Sequence, residues 1–393
     1  MKLRWRWSTI GVVGLVVLGA FLGGMVFARD EVRVIPSPVL PSGYTAEVGI
    51  AKGADHAEVT REAISHIGGL REIVKPGETV LIKPNLVGAS RSGMGRITDY
   101  RVVQEIVNLA REAGAARILV SEGPVDQAWD YVYTVAGYKN ITGAELHDLN
   151  ARASECDLVR LEPSLTGVSW YIPKIWFEVD RIIDVAVMKT HWTAGVTLSL
   201  KNIGIGLPPP AVDGPGGTSK TFLHDRNIDL VIPEVNSLRK ADLYVIDGMV
   251  GGEGQGPVSP TPRPMNLVLV SKDPVALDTI GTIVMGYDPR EIAHLTYAAG
   301  IGLGTNDLAK ITVIGENVDE VQAAPPFVRS RAADGAPFKK ATVIKTAPSA
   351  ISVDGHLSEW EEAVVNIVDD STQVTEGKAG WHGPSDAIAR FMF

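Results

Sequence analysis

The stretch VAVMKTHWTAGVTLSLKN, residues 185–202, passes from an apolar run into Lys189, Thr190, His191, Thr193, Lys201 and Asn202. Two amines, an imidazole, hydroxyls and an amide this close in sequence can bind an anion, move a proton or attack a carbonyl. A lysine held among other cations loses basicity and can serve as base or nucleophile near neutral pH. Similar groups follow other apolar runs. Lys83 and Asn85 follow TVLI (79–82), Glu122 follows RILV (117–120), Asp247 follows LYVI (243–246) and Asp273 follows NLVLV (266–270). Lys220 and His224, in SKTFLHD, add two more basic side chains.

These residues divide by role. Lys189, His191, Lys201, Glu122 and Asp247 form the candidate catalytic set. A lysine or His191 would move the proton, while Glu122 and Asp247 would act as acid or base, or as oxygen ligands of a divalent cation. Lys83, Asn85, Thr193, Asn202, Lys220 and His224 would bind an anionic substrate. Gly252 and Gly254 in MVGGEGQGP would let the backbone turn amides toward that anion. This run is neither a Walker motif nor a dinucleotide fingerprint, because no helix with the required spacing follows. Asp278 lies among small and apolar residues in PVALDTIGTIVMG, so it needs a partner or a proton. It is read, with Asp273, as supporting the site without touching substrate. His191 and His224 are 33 residues apart, which offers no short zinc-ligand spacing, and His147, His294, His356 and His382 read as incidental.

The elements that must position these groups alternate. Apolar runs at 79–82, 117–120, 184–188, 243–246, 266–270 and 311–314 read as strands. Between them, DHAEVTREAISHIGGLREIV, DYRVVQEIVNLAREAG, DRNIDLVIPEVNSLRKA, DPVALDTIGTIVMG and DPREIAHLTYAAG carry helical periodicity, several with Asp caps and terminal glycines. The pattern predicts an α/β fold, a mainly parallel sheet with helices on both faces. In such a sheet the strands' carboxyl ends share one edge, where ligands bind. Five runs ending in polar residues therefore point to one rim.

The chain has 393 residues, 45% apolar and 21% charged, with a net charge of −9. This excludes a disordered chain and gives no basic surface for nucleic acid. A single cysteine, Cys156, excludes an internal disulfide and a cysteine-held iron–sulfur cluster. Lys2, Arg4 and Arg6 precede an uncharged run from Thr9 to Ala28. At about 1.5 Å per residue that run would span a bilayer. It reads as a signal anchor over 1–28, or a signal peptide cut after Ala28, with the globular part outside the cytoplasm. Residues 29–44, with three prolines, read as a linker; 45–316 as the α/β domain; 317–347 as a second linker; and 348–393 as an incomplete β-sandwich-like segment.

The motifs VLIKPNLV, SEGP, VMKTHWTAGVTLSLKNIGIG, SKTFLHD, YVIDGMVGGEGQGP and SKDPVALDTIGTIVMG together resemble the domain of unknown function 362 family across residues 45–316. The resemblance implies an α/β fold with a ligand site at these motifs, and no established reaction. Many members carry clustered cysteines for a ferredoxin-like cluster, which this chain lacks. THWTAGVTLSLKNIGIGLP is also similar to the His-and-Lys segment of the nickel-holding lactate racemase family, over too short a stretch to carry that cofactor across. The tail ISVDGHLSEWEEA resembles the opening of a family 9 carbohydrate-binding module, which implies a carbohydrate ligand there.

The expected function is a membrane-tethered, extracytoplasmic enzyme acting on a small anionic substrate. Two other classes stay open: a non-catalytic receptor for an anionic metabolite or surface glycan, and a redox protein whose cofactor is held without cysteines.

Overall fold

A computed structural model describes residues 32–125, 128–210, 220, 222–225 and 227–331. The apolar run at 9–28 and the tail at 348–393 lie outside the described residues. The first half of the described chain contains β1 (Arg33–Pro36), β2 (Ala46–Lys52), α1 (His56–His66), β3 (Thr79–Pro84), α2 (Tyr100–Glu112), β4 (Arg117–Glu122), α3 (Trp129–Ala136), β5 (Glu145–Asp148), β6 (Cys156–Glu162), β7 (Trp170–Pro173) and α4 (Lys174–Glu178). The second half contains β8 (Arg181–His191), β9 (Gly195–Thr197), α5 (Ser199–Gly206), α6 (Phe222–Asp225), α7 (Ile228–Leu238), β10 (Leu243–Gln255), β11 (Ser259–Ser271), α8 (Pro274–Val284), α9 (Ala293–Gly300), β12 (Ile311–Gly315) and α10 (Val318–Val321).

The main sheet runs in the order β12-β2-β11-β10-β8-β3-β4-β5, with β9 paired to β8. Strands β12–β2, β10–β8, β8–β3, β3–β4 and β4–β5 pair parallel; β2–β11, β11–β10 and β8–β9 pair antiparallel. Successive side chains along each strand enter opposite cores. Val80 and Ile82 join Val102, Val103 and Ile106 of α2 on one face, while Leu81 joins the core shared by α5, α7, α8 and α9. The alternating pattern thus gives the expected α/β sheet flanked by helices on both faces.

Three expectations are corrected. Residues 29–44 read as a linker without regular structure, yet Arg33–Pro36 pairs parallel with β6 in a separate sheet ordered β1-β6-β7. As an edge strand, β1 can carry Pro36 without losing a ladder bond. The 317–347 linker begins too early, because α10 and the following segment pack on the domain. Ala323 N donates to the Val284 carbonyl at 2.8 Å and Phe327 N to that of Met285 at 3.0 Å, with Phe327 buried. Most important, β11 runs antiparallel to β10 and β2, so its end carries Ser271, Lys272 and Asp273 to the edge opposite the other strand ends.

Candidate functional site

Strands β3 and β4 lie side by side with Ile82 opposite Val120, so their next residues meet. Lys83 Nζ lies 2.7 Å from Glu122 Oε2, with neither side chain more than 4% exposed. The amine also lies 3.3 Å from both Asn202 Oδ1 and the Pro84 carbonyl. Glu122 Oε1 accepts Gly123 N at 2.7 Å, and Oε2 accepts Leu86 N at 3.4 Å. Both carboxylate oxygens are thereby occupied.

Next to this pair runs a row of hydrogen bonds. Lys189 Nζ donates to Asn85 Oδ1 at 2.7 Å and to the Arg96 carbonyl at 2.6 Å. Asn85 Nδ2 donates to Asn202 Oδ1 at 2.8 Å, and Asn202 Nδ2 donates to Asp184 Oδ1, also at 2.8 Å. Burial, helped by Lys201 and Arg96, holds the Lys189 amine well below the usual lysine range. Burial pushes the Asp184 carboxyl well above its usual range, against the opposing pull of Lys83.

Lys201 and Asn202 sit on α5, whose sequence SLKNIGIG contains two glycines and two β-branched residues and is a weak helix former. Tertiary contacts hold it. Asp278 Oδ1 accepts Ser199 N at 2.9 Å and Oδ2 accepts Leu200 N at 2.8 Å, satisfying two free amides at the helix start. At the other end Lys220 Nζ donates to the Gly206 carbonyl. Gly204 lets α5 approach α7: a Cβ there would lie 2.7 Å from Ile232 Cα. Burial pushes Asp278 up to about 7.

Asn85, Glu122, Lys201, Asn202, Gly206 and Lys220 line a cleft of about 50 Å³. That volume admits a small ion or the end of a larger molecule. Lys201 has no hydrogen-bond partner among the described residues. Burial, with Lys83, pushes its amine down to about 7, and burial pushes Lys220 down to about 8.

His191 ends β8, fully buried, and its ring stacks on His224 at a centroid distance of 5.5 Å and an interplanar angle of 18°. His191 Nδ1 accepts Thr193 N and Ala194 N, both at 3.2 Å, and lies 3.1 Å from Thr193 Oγ1. His224 Nδ1 lies 3.3 Å from the Lys220 carbonyl. Burial, then Lys201 and His224, press His191 well below the usual histidine range.

The structure therefore gathers Asn85, Glu122, Lys201, Asn202 and Lys220 at one cleft, with Lys83 fully buried beside it and bonded to Glu122 and Asn202. Lys189 lies behind Asn85 and contributes nothing to the lining. Four expected residues stand elsewhere. Asp247 falls inside β10, which continues to Gln255, and strand alternation turns it to the α2 face. There its oxygens accept Asp99 N at 2.7 Å and Met249 N at 3.0 Å. Gly252 and Gly254 belong to the same strand; Gly254 N donates to the Val328 carbonyl at 2.7 Å, and its own carbonyl accepts Thr190 Oγ1 at 3.1 Å. They wrap no anion. Asp273 caps α8, accepting Val275 N at 2.8 Å and Ala276 N at 2.9 Å. With Glu122 and Asp247 apart, their joint cation site dissolves, and no group of three or more His, Cys, Asp and Glu among the described residues could hold a metal ion.

Sequence reading passed over Asp184, Arg96 and His294. Asp184 carried the signal that marked Asp278, a lone carboxyl flanked by Ile and Val. His294, read as incidental, is fully buried with Nδ1 3.2 Å from Asp229 Oδ1 and adds to the basic surroundings of His191.

The sheet and cleft define an α/β protein with a lysine-lined site at the carboxyl edge of its parallel strands. The chain belongs to the family described as Domain of unknown function (DUF362), which matches residues 80–282. A thylakoid-associated protein of Synechocystis sp. is 29% identical over 256 residues, covering 63% of this chain and 75% of that protein. Among solved structures, the lactate racemase apoprotein of Thermoanaerobacterium thermosaccharolyticum is 14% identical with a TM-score of 0.35, over 53% of this chain and 54% of that one. A Thermotoga maritima protein is 10% identical with a TM-score of 0.34, over 57% of each chain. The chain thus spans little more than half the length of either solved structure.

Proposed function

We propose that the protein is an enzyme acting on a small anionic substrate at this cleft, with Lys201 as the group that meets the anion and moves a proton. The carrying observation is Lys201 itself: it lines the cleft, lacks a hydrogen-bond partner among the described residues, and sits near neutrality beside Lys83. Such an amine can switch between cation and base at physiological pH. Lys220 supplies a second cation and Asn85 an amide for orientation.

A receptor function is supported by a different observation. Both Glu122 oxygens are already engaged and Asp247 lies on another face, so proton transfer rests on the lysines alone. One experiment separates the readings. The purified protein is incubated with a mixture of small carboxylates and phosphates; an enzyme consumes its ligand, whereas a receptor returns it intact. Lys201→Met should abolish binding while leaving the melting temperature nearly unchanged. A large loss of stability with intact binding would instead make Lys201 structural.

A membrane-tethered, extracytoplasmic arrangement is part of this proposal. It is supported by the apolar run at 9–28 behind a basic start and by the thylakoid association of the relative. No helix among the described residues is long and apolar enough to cross a membrane, so any tether resides outside them. Protease accessibility of intact and lysed cells tests it.

A further inference from the structure

Two amides line the cleft, Asn85 and Asn202, and their hydrogen bonds give them different roles. Lys83 fixes the direction of Asn202. Its amine, paired with Glu122 at 2.7 Å, lies 3.3 Å from Asn202 Oδ1, and its own carbonyl lies 3.4 Å from Asn202 Nδ2. The other Nδ2 hydrogen goes to Asp184 Oδ1 at 2.8 Å, and Oδ1 also receives Asn85 Nδ2 at 2.8 Å. Asn202 has thus used both its hydrogens and both its lone pairs. With Asn202 Oδ1 set, Asn85 must turn Nδ2 toward it and Oδ1 toward Lys189, which donates at 2.7 Å. The Asn85 backbone is engaged as well: its N–H donates to Thr98 Oγ1 and its carbonyl accepts Thr98 N, each at 3.0 Å. What Asn85 keeps is one Nδ2 hydrogen, without a partner among the described residues.

The other polar side chains of the cleft divide in the same way. Glu122 Oε1 accepts Gly123 N and Oε2 accepts Lys83, each at 2.7 Å. Lys220 spends one of its hydrogens on the Gly206 carbonyl, and Lys201 spends none among the described residues. Every side-chain oxygen lining the cleft is therefore already bonded within the protein, while the side-chain nitrogens of Asn85, Lys201 and Lys220 hold hydrogens to give. We propose that Asn85 determines specificity here: its free Nδ2–H joins Lys201 and Lys220 in a pocket whose side chains only donate, so the ligand is an oxyanion that carries acceptors and no ammonium or N–H group of its own. Asn202 lines the same cleft with nothing left to offer. The inference rests on the cleft being an anion site.

The full chain is titrated at about pH 6 with acetate and with glycine, which share a carboxylate and differ by an ammonium. Glycine should bind about a hundredfold more weakly or worse, because its ammonium would meet only donors. With ¹⁵N-labelled asparagine, and the Asn85 signals assigned with Asn85→Ala, acetate should shift an Nδ2 proton of Asn85. Asn85→Ala should itself bind acetate about tenfold or more weakly, as the loss of a hydrogen bond to a charged group. A melting curve shows that the variant folds, and the labelled natural protein tests the same contact without any substitution. An Asn85 amide unmoved by saturating acetate, glycine bound within about threefold of acetate, or acetate affinity unchanged in Asn85→Ala overturns the inference. If Lys201→Met still abolishes acetate binding in such a case, the anion-site reading stands and the donor role of Asn85 falls. Failure of the natural protein to bind acetate, bicarbonate or phosphate overturns both.

Discussion

Lys83 and Glu122, from adjacent parallel strands, form an ion pair of 2.7 Å whose side chains are almost completely buried. Removing one partner leaves a charge in the interior with nothing to balance it. Lys83→Met should therefore cost about 3–5 kcal/mol of folding stability in urea unfolding. Pairing it with Glu122→Gln should recover most of that loss. Equal losses in the single and double variants would show that the pair contributes by packing alone.

The Lys201 amine titrates near 7, so its capacity for an anion disappears as the solution becomes alkaline. Acetate affinity measured by calorimetry should fall about tenfold per pH unit above that point. A flat profile to about pH 9 would assign recognition to another group.

Stability should respond to pH in two opposed windows. Lys201 and Lys220 are depressed to about 7 and about 8, so above those values the unfolded chain holds protons the fold has released, and their contribution rises toward the ordinary lysine range. Asp247 and Asp278 are raised to about 7 by burial, so their contribution is greatest in acid and is lost as pH climbs to that value. Denaturant melts of Asp278→Asn should lack part of the second dependence while keeping the first.

Asp278 never reaches the cleft, but it sets where Lys201 stands. Asp278→Ala strands the amides of Ser199 and Leu200 and should cost about 2–3 kcal/mol. Acetate binding should weaken in the same variant, because α5 carries Lys201 and Asn202. Asp278→Asn retains one acceptor and should show a smaller effect on both measurements.

Gly206 faces the buried pair closely enough that an added Cβ would lie 2.6 Å from Lys83 Nζ. Gly206→Ala must push the amine away from Glu122 and narrow the cleft. We expect a loss of about 1–3 kcal/mol in thermal melts, with weaker acetate binding. Unchanged binding would show that the cleft has room to adjust.

The legible part of the site lies where strand direction is uniform. Lys83, Glu122 and Lys189 each follow an apolar run, and their strands run parallel, so reading outward from the runs brought them to one edge. Asp273 has the same local signature, yet β11 is reversed, and hydrophobic periodicity carries no direction. Asp247 misled for another reason: β10 continues through six glycine and polar positions that resemble a loop, and pleating turns the carboxyl to the far face.

Helix α5 was hidden by its own composition. Its glycines serve close packing on α7 and clearance for Lys83, and its stability is borrowed from Asp278 and Lys220. Asp278 itself was readable, since a solitary carboxyl among apolar neighbours demands donors. Asp184 makes the same demand from within a strand, where a single carboxyl does not interrupt the apolar run that defines the element.

Helix α5 behaves as a small dipole clamped between opposite poles, a carboxyl at its positive end and an ammonium at its negative end. With the first pushed up to about 7 and the second down to about 8, the two poles are mostly charged together only in the interval between them. Acid slackens the clamp at the start of the helix and alkali slackens it at the finish, so the piece that presents Lys201 is tautest in mildly basic surroundings.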